Sequence, residues 1–223
     1  MKRIERTTYL HKLIAFKDKN LIKVITGIRR CGKSTLIEIY RDWLKAHGIT
    51  SVQIIYINFE DYDYHELRNP QRLYAYIKPL IQKDKMTYIF FDEIQYVADF
   101  PDVVNSLNLK PTVDLYITGS NAYMLSSEIA TLLSGRYVEI AMLPLSFREY
   151  VEGTQEQKNL AQAYLNYITK SSFPYALELD KPAEITDYLN GVYNTIVIKD
   201  IMSRKKLPDV MMLESVIRFA ADN

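Results

Sequence analysis

The chain has 223 residues and a mass of 26.1 kDa, with 48% hydrophobic and 25% charged residues. These globular averages exclude general disorder, and the length admits one good core with a modest appendage rather than several domains. Lys plus Arg number 28 against 27 Asp plus Glu, a formal charge of +1, so a uniformly basic nucleic-acid coat and an acidic tail are excluded.

A single cysteine, Cys31, rules out an intrachain disulfide, and the three scattered histidines (His11, His47, His65) do not make a Cys/His zinc site. No stretch approaches 18 uncharged apolar residues, and no apolar run follows the N-terminal charges. Neither a membrane span nor a signal peptide is expected, and the default location is a reducing cytoplasm. The 18 tyrosines are dispersed, as core rims are, rather than gathered into a base-stacking platform.

In chain order, residues 1–19 read as a basic helical segment, and the first 23 residues hold Lys2, Arg3, Arg6, Lys12, Lys17, Lys19 and Lys23 against only Glu5 and Asp18. This charge is expected on a solvated helix face and linker, with a local nucleic-acid patch as the alternative. Five short apolar runs then predict strands: Leu21 to Thr26, Val52 to Asn58, Tyr88 to Phe91, Val113 to Thr118 and Tyr137 to Ile140. Helical spacing fills the gaps at Ser34 to Lys45, Gln71 to Gln82, Val103 to Leu109 and Ala122 to Leu133. Alternation of this kind predicts an α/β fold with a parallel five-stranded sheet. Beyond Pro144 the pattern is helical only, notably Gln155 to Thr169 and Ala183 to Lys199. The expected organisation is a core over 20–145, a helical subdomain over 146–204 and the start of another unit over 205–223. The apolar helix from Met211 stops abruptly at Asn223, as in a piece of a longer protein.

Three motifs carry chemistry. Gly27-Ile-Arg-Arg-Cys-Gly-Lys-Ser34 fits G-x-x-x-x-G-K-[ST] between a strand and an amphipathic helix, where backbone amides and a helix N-terminus cradle phosphates. Gly27, Ile28, Arg29, Arg30, Cys31, Gly32, Lys33, Ser34 and Thr35 are the expected nucleotide contacts. Lys33 reaches the β/γ oxygens and Ser34 ligates Mg²⁺. Arg29 and Arg30 either add charge beside the phosphates or face solvent, and Cys31 is a small loop residue or, with Lys33 nearby, a thiol of lowered pKa.

The second motif, Tyr88-Ile-Phe-Phe-Asp-Glu93, ends an apolar strand in two carboxylates. Behind a phosphate loop, Asp92 belongs beside the Mg²⁺ and Glu93 is the base that polarises water. Met alone, the same pair describes a turn with helix-start charges. The third motif, Ile117-Thr-Gly-Ser-Asn121, again runs a strand into polar residues. Ser120 and Asn121 are named jointly as a sensor of the γ-phosphate, with a turn and helix cap as the alternative.

With Leu133-Ser-Gly-Arg136 and Leu143-Pro-Leu-Ser-Phe-Arg-Glu-Tyr150, these motifs resemble a family of bacterial and archaeal AAA+-type ATPases whose core is followed by a winged helix and a C-terminal domain of unknown function. The resemblance implies a P-loop NTPase three-layer sandwich of strand order 5-1-4-3-2 with a helical lid over 146–204. It implies Mg-ATP as the ligand, Asn58 as the polar residue that restrains the catalytic glutamate, with a strand-end turn as the alternative, and Arg136 as a finger reaching a neighbouring subunit in a homo-oligomer, with a surface ion pair as the alternative. Residues 205–223 are then the first part of the winged helix. Relatives carry a Gly-Gly-Phe-Pro-like turn where this chain has Ser171-Ser-Phe-Pro174, and the helical subdomain offers no obvious second sensor arginine. An ATP-gated switch with little turnover is the rival reading, and DNA contact through Lys199, Arg204, Lys205 and Lys206 is a weaker one. A nucleotide or nucleic-acid kinase would need an acceptor pocket and does not usually pair Asp with Glu at the third strand.

Overall fold

The computed structural model describes residues 3–120, 133, 135–154, 157–196 and 210–222. Along the chain these form α1 (Thr7–Ala15), β1 (Ile22–Gly27), α2 (Lys33–Ala46), β2 (Ile54–Asn58), α3 (Pro70–Ile77), β3 (Thr87–Asp92), α4 (Phe100–Asn108), β4 (Val113–Ser120) and β5 (Tyr137–Met142). Helices α5 (Phe147–Thr154), α6 (Leu160–Lys170), α7 (Pro182–Asn194) and α8 (Val210–Asp222) follow. The strands make one parallel sheet ordered β2-β3-β4-β1-β5, which is the expected order.

Every residue of β1 and β3 is buried. Alternate side chains serve opposite layers, as the two-residue period of a strand requires. Ile22, Val24, Ile89, Phe91, Leu115 and Ile117 meet Leu73 and Ile77 of α3 and Val103, Val104 and Leu107 of α4. Ile25, Tyr88, Phe90, Tyr116 and Ile140 meet Leu13 of α1 and Leu36, Ile37, Tyr40 and Leu44 of α2. Each fully buried aliphatic or aromatic side chain contributes about 1.5–3 kcal/mol, so the sandwich is held from both faces.

Boundaries differ from expectation for identifiable reasons. Strand β2 starts at Ile54 rather than Val52, because Thr50 and Gln53 cap each other around the short turn Ser51–Gln53, and Val52 is left 69% exposed. Helix α3 ends at Ile77 and tightens into Lys78–Leu80, since Pro79 lacks the amide that a longer helix would use. Pro101, favoured in a first turn, lets α4 begin at Phe100, before the expected Val103. Helix α6 begins at Leu160, where Asn159 accepts from the Gln162 N–H at 3.1 Å, later than expected, and the expected start at Gln155 lies outside the described residues. The expected helix over 122–133 lies almost wholly outside the described residues, as does the end of the one expected to reach Lys199.

The basic N-terminal segment is not merely a solvated face. Arg6 is 3% exposed, and Lys23, in β1, is fully buried against Asp114 of β4. Lys23 also donates to the Lys19 carbonyl at 2.7 Å. Asp114 accepts the Asp18 N–H at 2.9 Å and the Tyr116 hydroxyl at 2.8 Å, and Tyr116 in turn meets the Tyr40 hydroxyl at 2.8 Å. Burial pushes the Asp114 carboxyl up and the Lys23 amine down, while each pulls the other back toward its charged form. Burial likewise raises the Tyr88 hydroxyl, which donates to Asp18 at 2.8 Å, to about 12.

Removing one partner of such a pair strands the other charge. Lys23→Met is expected to lower unfolding stability in urea by about 3–5 kcal/mol, and a loss well under that range would show that water reaches Asp114.

Candidate functional site

The loop between β1 and α2 is shaped by close approach. A Cβ on Gly27 would lie 2.5 Å from the Met142 carbonyl oxygen and 2.7 Å from the Cys31 sulfur, so no larger residue fits. Gly32, which caps α2, has φ 100°, and Arg30 enters the left-handed region at φ 66°. The turn leaves the first amides of α2 without partners inside the helix and directs that helix N-terminus at the loop. Ser34 and Thr35 are exposed there, while Lys33 is only 5% exposed.

Lys33 folds back over its own loop. Its Nζ donates to the Gly27 carbonyl at 3.2 Å and the Ile28 carbonyl at 3.4 Å and lies 3.6 Å from Glu93 Oε1. The cation and the second carboxylate predicted from the sequence are therefore brought face to face.

Asp92 closes β3 with no exposed surface. Its Oδ1 accepts the Thr118 hydroxyl and its Oδ2 the Tyr56 hydroxyl at 3.0 Å. Desolvation first, then the Asp92 charge, push the Tyr56 hydroxyl upward, which keeps it a donor. Thr118 also accepts the Glu93 N–H at 2.9 Å, so one hydroxyl on β4 sets both acidic residues. Glu93 takes φ 56°, a left-handed backbone that for a non-glycine residue costs on the order of 1–3 kcal/mol. Its Oε2 accepts from the Gln95 amide, whose own Oε1 is buried with no partner among the described residues.

Sequence reasoning missed Thr118, Tyr56 and Gln95. The available signal was polarity inside apolar strands for the first two, and for Gln95 its place two residues beyond Glu93.

Asn58, expected to restrain Glu93, instead accepts the Glu60 N–H at 2.9 Å and shapes the turn after β2. Gln95 holds Glu93 in its place. Ser120 pairs in register with Gly27 at the end of β4, and Asn121 lies outside the described residues. Arg136 is exposed and precedes β5. Since Met142 is the residue level with Gly27, Arg136 sits about 20 Å down the strand from the loop, at ~3.3 Å per residue, beyond the reach of its own side chain. Arg29 approaches Glu60 at 3.5 Å, and Arg30 is exposed on the cleft. Cys31 is buried, and burial pushes its thiol up, which removes the reactive-thiol alternative. Lys199, Arg204, Lys205 and Lys206 lie outside the described residues.

A cleft of about 950 Å³ opens over this site, at the upper end of the usual range for small-molecule sites. Its floor is the loop from Arg29 to Thr35 with Glu93, and its wall is Leu145, Pro174, Tyr175 and Tyr188. The departure from Gly-Gly-Phe-Pro puts a serine where the turn that carries Pro174 favours glycine. Ser171 takes φ 148°, in the region that favours glycine, while the Ser172 carbonyl accepts the Leu145 N–H at 2.8 Å. Among the described residues no group of three His, Cys, Asp or Glu side chains stands ready to hold a metal, and no helix is long and apolar enough to cross a membrane.

A family model described as "AAA domain" matches residues 19–151. An uncharacterized protein of Haemophilus influenzae is 42% identical over 99% of this chain and 56% of its own length. An uncharacterized protein of Methanocaldococcus jannaschii is 30% identical over 89% of this chain and 46% of its own. The chain thus spans about half the length of these curated relatives. Among solved structures, the Walker-type ATPase of Pyrococcus abyssi superposes with a TM-score of 0.60 at 15% identity, over 91% of this chain and 76% of that one. The Aeropyrum pernix Orc1 protein, solved in complex with DNA, gives 0.52 at 14% identity, over 86% and 66%. At these identities the structural likeness speaks for the fold alone, and the family rests on the matched model and the sequence relatives. The chain belongs to the AAA domain family of AAA+-type ATPases, with uncharacterized bacterial and archaeal proteins as its relatives.

Proposed function

We propose that the protein binds Mg-ATP in the cleft over Gly27 to Thr35 and hydrolyses it. The observation that carries this reading is the opposition of Lys33 and Glu93 at 3.6 Å across the mouth of the phosphate loop. A phosphate-binding cation and a carboxylate base meet where a terminal phosphate would enter. The loop amides and the α2 N-terminus take the phosphate oxygens, and Lys33 exchanges Glu93 for the β/γ oxygens. Glu93, released from the cation, accepts a proton from water as the water oxygen attacks the γ-phosphorus, and the bonding pair leaves with ADP. The Tyr175–Tyr188 pair, with centroids 5.1 Å apart at 53°, offers aromatic surface to the base.

Hard oxygen donors suit Mg²⁺, which keeps waters and substrate phosphates in its shell and asks the protein for one or two ligands rather than a cage. Ser34, exposed at the start of α2, and Asp92, with two acceptor oxygens oriented by Thr118 and Tyr56, fit that demand. When bound, the ion neutralises charge developing on the phosphate oxygens. Ser120, with Asn121 after it, remains the proposed contact to the γ-phosphate. Arg136, too far from its own loop, is proposed to act on a neighbouring copy. An ATP-gated switch is the second reading, favoured by the double restraint of Glu93 by Lys33 and Gln95. The DNA in the Orc1 neighbour supports DNA contact by analogy of fold, and the sparing use of cysteine supports a cytoplasmic location.

Glu93→Gln is expected to retain ATP binding while turnover drops by roughly 10²-fold or more, measured by phosphate release; wild-type turnover would remove Glu93 from the chemistry. Lys33→Ala should abolish binding of a fluorescent ATP analogue at concentrations that saturate the wild type. Gln95→Leu, by freeing Glu93, is expected to raise turnover several-fold with KM little changed, and a fall in turnover would make Gln95 an aid to the base instead of a restraint.

A further inference from the structure

Arg6 lies outside every motif and ahead of the region matched by the family model, yet it is buried and meets three backbone carbonyls and one carboxylate. Its Nη1 donates to the Cys31 carbonyl at 3.0 Å, its Nη2 to the Leu143 carbonyl at 2.5 Å and the Pro144 carbonyl at 3.4 Å, and its Nε lies 2.9 Å from Glu149 Oε1. The guanidinium also covers the Tyr9 ring at 4.9 Å, and Tyr9 in turn accepts the Leu143 N–H at 3.1 Å. Arg6 itself caps α1 in a left-handed backbone at φ 50°, a conformation that only strong local contacts hold in a non-glycine residue.

Each partner is informative. The Cys31 carbonyl belongs to the same planar peptide as the Gly32 N–H, which points the opposite way across a trans bond. A charged donor on that carbonyl fixes the plane and polarises the amide, so the Gly32 N–H is both aimed and strengthened. Gly32 borders the cleft. Glu149 is the far half of a capping box on α5: it accepts the Ser146 N–H at 2.8 Å and the Ser146 hydroxyl at 2.9 Å, while its own N–H donates to Ser146 Oγ at 3.3 Å. Ile4 is seated on the same helix, since a Cβ on Gly153 would come within 2.4 Å of Ile4 Cδ1. One planar fork thereby spans the phosphate loop, the exit of β5 and the first helix of the following segment, which a point-like ammonium cannot do.

We propose that Arg6 is a positioning residue for the nucleotide phosphates. It holds the Cys31–Gly32 peptide in its phosphate-facing orientation and, through Glu149, ties the occupied loop to α5, so that loading of the loop is felt at 146–154. The inference rests on the nucleotide-binding reading above.

Arg6→Lys and Glu149→Gln separate the two halves. With Mg-ATPγS as the probe, the wild type is expected to show slower amide hydrogen exchange both at 27–35 and at 146–154. Arg6→Lys should weaken ATPγS affinity by about 10-fold or more, as the loss of a charge-assisted hydrogen bond requires, and should lose the nucleotide-dependent protection at 146–154. Glu149→Gln, which keeps the guanidinium and its three carbonyls, should retain protection at 27–35 and lose it at 146–154. It carries the test even where Arg6→Lys melts early. A purely structural Arg6 would lower Tm in both variants yet leave affinity and protection at 146–154 unchanged, and that result overturns the proposal. A wild type that fails to bind ATPγS at all overturns the nucleotide-binding reading instead, and is told apart by the absence of protection at 27–35.

Discussion

The strands β1, β3 and β4 are covered by helices on both faces, and this burial dictates where chemistry can stand. A polar group within such strands must be fully paired, as Lys23 is with Asp114, or must sit at a strand end. Because the strands are parallel and in register, their C-terminal ends open on one edge of the sheet, so Gly27, Asp92 and Ser120 arrive there together. The site is therefore a product of the sheet topology before it is a product of any single side chain.

Within that edge, order comes from hydroxyl groups rather than from charges. Thr118 donates to Asp92 and accepts from the Glu93 backbone, and Tyr56 takes the other Asp92 oxygen. The left-handed turn at Glu93 then carries its carboxylate back toward the phosphate loop, where Lys33 and Gln95 engage one oxygen each. Both partners occupy the carboxylate that the proposed reaction needs free. The arrangement reads as a resting state that a triphosphate would dismantle, by giving Lys33 a better set of oxygens. Arg6 adds a second connection, from the back of the phosphate loop to α5.

Much of this was legible in the sequence, because its strongest signals are local. Gly27 to Ser34 must form a phosphate loop wherever a strand precedes and a helix follows, and the buried runs at Tyr88 and Val113 announce strands of a parallel sheet. What the sequence concealed are relations between distant residues. The residues around Asn58 allow either a restraint on the glutamate or a strand-end turn, and the choice of the turn to Glu60, with Gln95 holding the glutamate, depends on how the turns after β2 and β3 face each other. Arg6 was read with its neighbours as solvated charge, and only the return of the chain at Leu143 to Glu149 buries it. Val52 belongs by sequence to the apolar run that ends at Asn58, whereas the Thr50–Gln53 cap decides that it faces water.

In the proposed function the Lys33–Glu93 contact is the unloaded form of a nucleotide site. A crystal structure of the protein with Mg-ATPγS tests it directly. Lys33 Nζ is expected to leave Glu93 for the β- and γ-phosphate oxygens, with the phosphates held over Gly27 to Thr35. A nucleotide bound elsewhere, or a Lys33 still paired with Glu93 while the loop is filled, would contradict it.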